Sequence, residues 1–369
     1  MKGFILGCDI SKNDVYVCLL NTESEKVLGS KRFSNNTVGV MEMDDWVSRK
    51  TKGEPYKVVM EATGVYHENL VDGLYLLDVE DIYIINPKLV KHYIASHNRR
   101  YKNDPSDAFM IASFGTAIGN GVNEVNVQKW KPFSQFYQEI RSYSRQMLSL
   151  KKTSAQLKNR MEALSFTKRT PKEILISTQQ LIEKVDATIE SYRVRLQSIL
   201  DNYDPDLKEK VCKVASIKGV SWETVLHIVC ETDGFSSICN ARQLVAYAGL
   251  DVPDEQSGRC RKPGHISKAG NAQIRLLLYM PAMVAATRKN GIYNAFYNKL
   301  IERYGGKGKG KKVLVAVMRK MLILIYTLWR DDCVYDPKHV WNQKVKSDKQ
   351  RPELLLSKNN EVNSITEIK

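Results

Sequence analysis

The chain has 369 residues, 43% hydrophobic and 26% charged, with a net charge of +15 and only 9% aromatic residues. That length supports two or three units with their own cores. The greasiest stretches, Leu276–Ala286 and Met321–Trp329, fall short of the roughly 18 apolar residues a membrane helix needs. Seven scattered cysteines with no CxxC pair argue against a disulfide scaffold or a zinc site and for reduced thiols in a cytosol. The N-terminus runs at once into a folded-looking segment, so no secretory signal is expected.

Taken in chain order, Phe4–Ile10 and Val15–Leu20 read as strands around a Ser-Lys-Asn-Asp turn, and Val27–Phe33 as a third strand of an antiparallel meander. Val38–Val47 has helical spacing, Lys57–Met60 is a short strand, and Glu68–Leu77 a helix. Ile82–Ile85 is a strand that stops at Asn86-Pro87, and Pro105–Thr116 is again helical. Three strands followed by alternating helix and strand match the order of an RNase H-type α/β fold.

Residues 131–210 lose strand signals and gain apolar residues at three- and four-residue steps. They predict two long helices meeting around Phe166–Pro171, as an antiparallel hairpin or as a coiled coil that pairs two chains. From Val211 onward, Ser216–Ser221 separates two helices. It reads equally as an ordinary αα-turn and as a helix–hairpin–helix turn whose backbone N–H groups cradle a phosphate. Asn240 caps a helix that ends at Gly249, Asp251–Gly270 is loop-like, Ala272–Thr287 and Val313–Trp329 are helical, and the chain beyond Val340 is polar.

The charge is unevenly placed. Residues 1–115 carry 14 Lys and Arg against 16 Asp and Glu, whereas residues 257–320 carry 15 against the single acid Glu302. A field so concentrated recruits polyanions, and nucleic acid is the commonest of them. Arg259, Arg261, Lys262, Lys268 and Arg275 stand in or beside the loop, while Lys307, Lys309, Lys311 and Lys312 form a Gly/Lys segment that is a phosphate strap or a solvated loop. That segment is no Walker loop, since no Ser or Thr follows a Gly-Lys, and His265 lacks the partners of a triad.

Four acids stand where an RNase H-type fold brings side chains together. Asp9 ends the first strand, Glu61 ends the fourth, and Asp104 and Asp107 share a face at a helix start. Converging carboxylate oxygens are what phosphoryl transfer through two hard cations requires. Asp104-Pro105-Ser106-Asp107 is also a good helix N-terminus, with Asp at the cap and Pro next to it. Ser257, in Asp-Glu-Gln-Ser-Gly-Arg-Cys-Arg-Lys, is by its residues alone an ordinary Ser-Gly turn or a nucleophile polarised by its basic neighbours.

Gly7–Lys12, Glu61–Tyr66, Ile85-Asn86-Pro87 and Lys102–Ala108, with Ala241–Leu250, Gln256-Ser257-Gly258 and Ile266–Met283, carry a specific resemblance. The sequence is similar to the DEDD transposases of the insertion-sequence-110 family, whose first domain resembles RuvC-type Holliday-junction resolvases. The resemblance implies an RNase H-like catalytic domain over 1–120, a helical coiled-coil linker over 131–210, a mainly α transposase domain over 211–340 and a flexible tail over 341–369. It further implies Mg²⁺ in a two-metal site on Asp9, Glu61, Asp104 and Asp107, with Ser257 as a nucleophile forming a phosphoserine link to DNA. Double-stranded donor and target DNA, a structured non-coding bridge RNA that selects them, and a homodimer or tetramer are the implied partners. The implied setting is a prokaryotic cytoplasm, at the nucleoid during reaction. A Piv-type DNA invertase has the same domains with another genetic outcome. A junction-resolving nuclease would use the carboxylates with water as nucleophile.

Overall fold

The computed structural model describes residues 3–62, 64–96, 103–119, 129–202, 205–253, 256–257, 260–261, 265–289, 291–306 and 308–336. It falls into two units, Met1–Pro132 and Phe133–Lys369. In the first, β1 (Phe4–Ile10), β2 (Asp14–Asn21) and β3 (Lys26–Ser34) form the expected antiparallel meander. The β1–β2 turn is held by Ser11, whose Oγ accepts from the Asp14 N–H at 3.0 Å and donates to the Asp14 carbonyl at 2.9 Å.

β4 (Tyr56–Glu61) lies parallel to β1, and β5 (Ile82–Ile85) parallel to β4, giving the order β3-β2-β1-β4-β5. The central strands are apolar on both faces because helices cover both. On one face, α1 (Thr37–Thr51) and α2 (Glu68–Leu76) bury Met43, Val47, Leu70 and Leu74 against Leu6, Val17 and Val58. On the other, α3 (Pro87–Ser96) and α4 (Asp104–Gly119) bury Val90, Ile111 and Phe114 against Ile5 and Val59. Strand order, direction and helix placement are those of an RNase H-type domain.

α3 is an element the sequence reading does not anticipate. Asn86-Pro87 ends β5 as expected, but Asn86 Oδ1 also accepts from the Lys88 N–H at 2.9 Å. Proline then stands at the first helical position, where its missing N–H costs nothing.

The second unit opens with α5 (Gln135–Phe166) and α6 (Lys172–Asn202), which pack on each other as a hairpin. Ser154 donates to Asp186 at 2.6 Å, Lys158 pairs with Asp186 at 2.8 Å, and Tyr143 meets Tyr192 edge-on at 5.5 Å. Ile140, Met147, Leu196 and Leu200 share one core with α7 (Pro205–Ala215), α8 (Trp222–Glu231), α9 (Ala241–Tyr247), α10 (Ala272–Thr287) and α12 (Gly310–Asp331). α11 (Ile292–Arg303) adds Tyr293 to that core and is not foreseen from the sequence. Asn240 caps α9 as expected, accepting from the Gln243 N–H at 2.9 Å. α12 begins at Gly310, earlier than its apolar periodicity suggests, so Lys311 and Lys312 are helical. Among the described residues no helix is long and apolar enough to cross a membrane.

Candidate active site

Gly7 fixes the geometry of the first site. A Cβ there would run into the Ala108 carbonyl and the Ala112 N–H, so α4 crosses the sheet in direct backbone contact with β1. Asp9 lies two residues on and points to the same face. The β1–β4 register pairs Cys8 with Met60, so Asp9 and Glu61, one residue further on each strand, are neighbours. Glu61 shares its face with Val59, which packs in the α4 layer. Asp107 immediately precedes Ala108, and Asp104 is one turn further up the helix. All four acids therefore belong to one face and one end of the sheet.

The cap of α4 differs from the expectation by one residue. Asn103, not Asp104, takes that role: its Oδ1 accepts from the Ser106 N–H at 3.0 Å and its carbonyl from the Asp107 N–H at 2.9 Å. Asp104 and Asp107 are thereby relieved of capping.

Asp104 is drawn elsewhere. Its carboxylate accepts from Arg32 Nη2 at 2.7 Å, both side chains being more than half exposed. Asp9 pairs with Tyr16, and Tyr16 with Arg32, so Glu61, Asp9, Tyr16 and Arg32 form a row across β4, β1, β2 and β3. Arg32 stands two strands from Asp9, about 9–10 Å at the usual spacing, on the side opposite Glu61. Among the described residues no three His, Cys, Asp or Glu side chains are grouped so as to hold a metal ion, and since Asp9, Glu61 and Asp107 remain once Asp104 is set aside, the Arg32 pair alone does not account for this. The donors are hard carboxylate oxygens of the kind Mg²⁺ takes. By residue type and face Asp9, Glu61 and Asp107 suit such an ion, but in this structure their side chains do not converge on one position, and Asp104 is held by Arg32.

Two further features frame the site. Asn35, buried beside it, donates to the Ser11 carbonyl at 3.0 Å and the Tyr66 carbonyl at 2.9 Å, tying together the loops that follow Asp9 and Glu61. Burial, with the Asp9 carboxylate alongside, pushes the Cys8 thiol far up, so it stays protonated and inert. Neither Arg32 nor Asn35 is singled out by the sequence.

In the second unit, Ser257 lies on a two-residue strand, β6 (Gln256–Ser257), paired antiparallel to β7 (Cys260–Arg261), with Ser257 opposite Cys260. Arg259, Lys262 and Lys307, and the tail 341–369, lie outside the described residues, as do the side chains of Ser257 and Arg261. The segment bearing the hairpin leaves and rejoins the helices at a tight base. Asn271 N–H donates to the Tyr247 carbonyl at 2.7 Å, and Lys268 N–H to the Gly249 carbonyl at 3.2 Å. Gly270 is needed there, since a Cβ would strike the Tyr247 carbonyl and the Gly249 N–H. Arg275 Nη1 donates to the carbonyls of Ala248 at 2.9 Å and Gly270 at 3.1 Å, so part of this guanidinium stitches the base.

Beneath the base is Glu231, 2% exposed, which accepts from Arg145 at 2.6 and 2.8 Å and from Asn271 Nδ2 at 2.7 Å. Burial alone would raise its pKa, but Arg145 and Asn271 outweigh it and hold the carboxyl below the usual range. Lys309, Lys311 and Lys312 are exposed, Lys312 lying 4.8 Å from the Tyr304 ring, and Lys268 and His265 are exposed as well. The Ser216–Ser221 turn has Gly219 at φ +94° and Ser221 capping α8 through the Thr224 N–H at 3.2 Å.

An RNase H-type sheet with carboxylates at the ends of β1 and β4 and on the helix across them is the framework of enzymes that cut and transfer nucleic-acid strands. Comparison with known proteins narrows that class. Residues 6–164 match a family model described as "Transposase", the DEDD transposase of the insertion-sequence-110 type, and residues 212–298 match "Transposase IS116/IS110/IS902 family". The chain is 28% identical over 342 residues to the pilin gene-inverting protein of Moraxella bovis, covering 92% of this chain and 99% of that one. It is 25% identical over 352 residues to the transposase for insertion sequence element IS1111A of Coxiella burnetii, covering 88% and 89%. RuvC of T. thermophilus in complex with a Holliday junction substrate aligns at 11% identity over 35% of this chain and 99% of that one, with a TM-score of 0.27. The chain belongs to the insertion-sequence-110 family of transposases, and it is an enzyme of DNA recombination.

Proposed function

We propose that the enzyme cuts and rejoins double-stranded DNA with two sets of residues. Asp9, Glu61 and Asp107, joined by Asp104 once it leaves Arg32, would hold Mg²⁺, and Ser257 attacks the scissile phosphate. The observation that carries the reading is the placement of Asp9 beside Glu61, with α4 laid across Gly7 so that its acids overhang the same strand ends. When bound, divalent cations supply positive charge to the phosphate oxygens. The carboxylates orient those charges, and the row from Glu61 to Arg32 bounds the surface on which a strand lies.

As Ser257 Oγ bonds to phosphorus, one DNA phosphoester bond breaks. The serine proton passes to solvent, and the departing DNA oxygen takes a proton up. Ester number is unchanged, so rejoining by a DNA hydroxyl, which frees the serine, needs no ATP. The placement of Ser257 on a hairpin in the basic block, over a base clamped through Asn271 and Glu231, supports this role. Arg259, Arg261, Lys262, Lys268, Lys307, Lys309, Lys311 and Lys312 serve as phosphate contacts, while Arg275 serves mainly the base.

The family resemblance carries the further proposals of a bridge RNA that selects both DNA partners and of a homodimer or tetramer. The charge of residues 257–320 is compatible with either nucleic acid. The near full-length match to the Moraxella pilin gene-inverting protein favours inversion as a second genetic outcome of the same chemistry. A plasmid recombination assay tests the carboxylate half: Asp9→Ala and Glu61→Ala should each abolish strand cleavage while leaving DNA binding largely intact, and EDTA should mimic them. Recombination by Asp9→Ala at the wild-type rate would remove the metal site from the account.

A further inference from the structure

The ion pair that takes Asp104 away from its fellow carboxylates has properties of its own. It joins residues 72 positions apart, from the edge strand β3 to the first turn of α4, at 2.7 Å. Both side chains are more than half exposed, 55% and 56%, so the pair contributes little to stability and is easily exchanged. Asp104 sits at the start of a helix whose cap is supplied by Asn103, so its side chain can swing without unravelling the turn. Arg32 has a second anchor in the Tyr16 ring, 5.9 Å from its guanidinium carbon. Tyr16 in turn stands opposite Asp9. If Asp104 leaves, Arg32 keeps its place in the row and presents a planar fork of donors that suits a phosphate.

We propose that Arg32 is a latch on the carboxylate site: it holds Asp104 at the β3 edge in the DNA-free enzyme, and a DNA phosphate that takes the place of Asp104 on Arg32 releases it toward Asp9. The inference rests on the reading of Asp9, Glu61, Asp104 and Asp107 as metal ligands. Arg32 is a positioning residue in this scheme. The phosphate it takes is a flanking one, since Arg32 stands two strands, about 9–10 Å, from Asp9. Metal affinity and DNA occupancy then become coupled, each raising the other by the same factor. Such a latch keeps the complete ligand set from assembling before DNA is in place.

Mn²⁺ binding to the full-length protein, read by electron paramagnetic resonance of the free ion, tests the latch without any need for activity. Arg32→Met should tighten Mn²⁺ binding in the absence of DNA by about two- to fivefold, the range over which an exposed ion pair can compete. Adding Asp104→Asn to Arg32→Met should remove that gain. Asp104→Asn alone should change DNA-free binding little. A mixed-sequence DNA duplex should tighten Mn²⁺ binding to the wild type but not to Arg32→Met.

An equal gain with and without Asp104 would mean that only the removed positive charge matters, and the latch fails. No gain at all, or no effect of duplex on the wild type, overturns it as well. If Asp9→Ala leaves Mn²⁺ binding unchanged, the carboxylate reading itself has failed. If Asp9→Ala abolishes binding while Arg32→Met does nothing, only the latch has failed. Circular dichroism checks folding, and Arg32→Gln repeats the measurement should the methionine variant misfold.

Discussion

Arg145→Ala probes the support beneath the Ser257-bearing segment. Glu231 is 2% exposed, and Arg145 covers it with two hydrogen bonds at 2.6 and 2.8 Å. Removing one partner of a buried pair leaves the other charge without compensation, at a cost of about 3–5 kcal/mol. Asn271 still donates to Glu231 at 2.7 Å and Arg145 is 40% exposed, so the lower end applies. For a unit of this size each kcal/mol lowers Tm by about 2–4 °C, so a loss near 3 kcal/mol corresponds to about 6–12 °C.

The pH dependence carries a separate sign. In the wild type the Glu231 carboxyl is held below the usual range, so its contribution is complete above that range and is lost as pH falls through the lowered value. Without the guanidinium, burial dominates and raises the pKa, so acidification relieves the variant. The gap between the two proteins should therefore narrow as pH is taken below the ordinary carboxylate range. Differential scanning calorimetry over a pH series measures both effects. A Tm drop under about 2 °C at neutral pH, which corresponds to less than about 1 kcal/mol, or a gap that widens in acid, would show that Arg145 does not compensate the buried Glu231 charge.

Gly7→Ala should lower stability by about 1–3 kcal/mol through overpacking. It should depress strand cleavage further than the melting curve alone explains, because α4 is lifted with Asp107 on it; unchanged cleavage would show that α4 need not touch β1. Replacing Lys309, Lys311 and Lys312 together by Gln should flatten the salt dependence of duplex binding, by about 0.9 in the log–log slope for each lysine that meets a phosphate. An unchanged slope would mark them as solvated only.

Much of the first unit is legible because its signals are local. The Ser11–Asp14 turn, the alternation in β2 and the apolar run of β1 are each sufficient to locate a strand, and three strands in succession imply the meander. Asp9 and Glu61 are legible for a related reason: an acid ending an apolar strand is costly unless it has work to do. Local signals mislead where one residue serves two ends. Asn86-Pro87 reads as a stop and is also the start of α3. Asp104 reads as a cap, but Asn103 directly before it is an equally good one and is used.

The long helices 135–166 and 172–202 are plain from periodicity, but periodicity does not distinguish a hairpin within one chain from pairing between chains. α11 escapes because Tyr, Asn and Phe are weak helix formers whose burial comes from neighbours. The hairpin at Ser257 has strands of two residues, too short for any period. The Arg32–Asp104 pair depends on register across two strand pairings and a helix crossing, which no window of sequence contains.

Whether phosphoester energy is conserved on Ser257 is decided by trapping the reaction midway and mapping the protein–DNA adduct. Wild-type protein should give a protease-sensitive shifted band on denaturing gels, with the DNA attached to the peptide carrying Gln256-Ser257-Gly258. Ser257→Ala should bind DNA yet lose both adduct and joined product. Cleavage by Ser257→Ala, with no adduct ever formed by the wild type, would contradict the account and leave a metal-dependent nuclease that uses water.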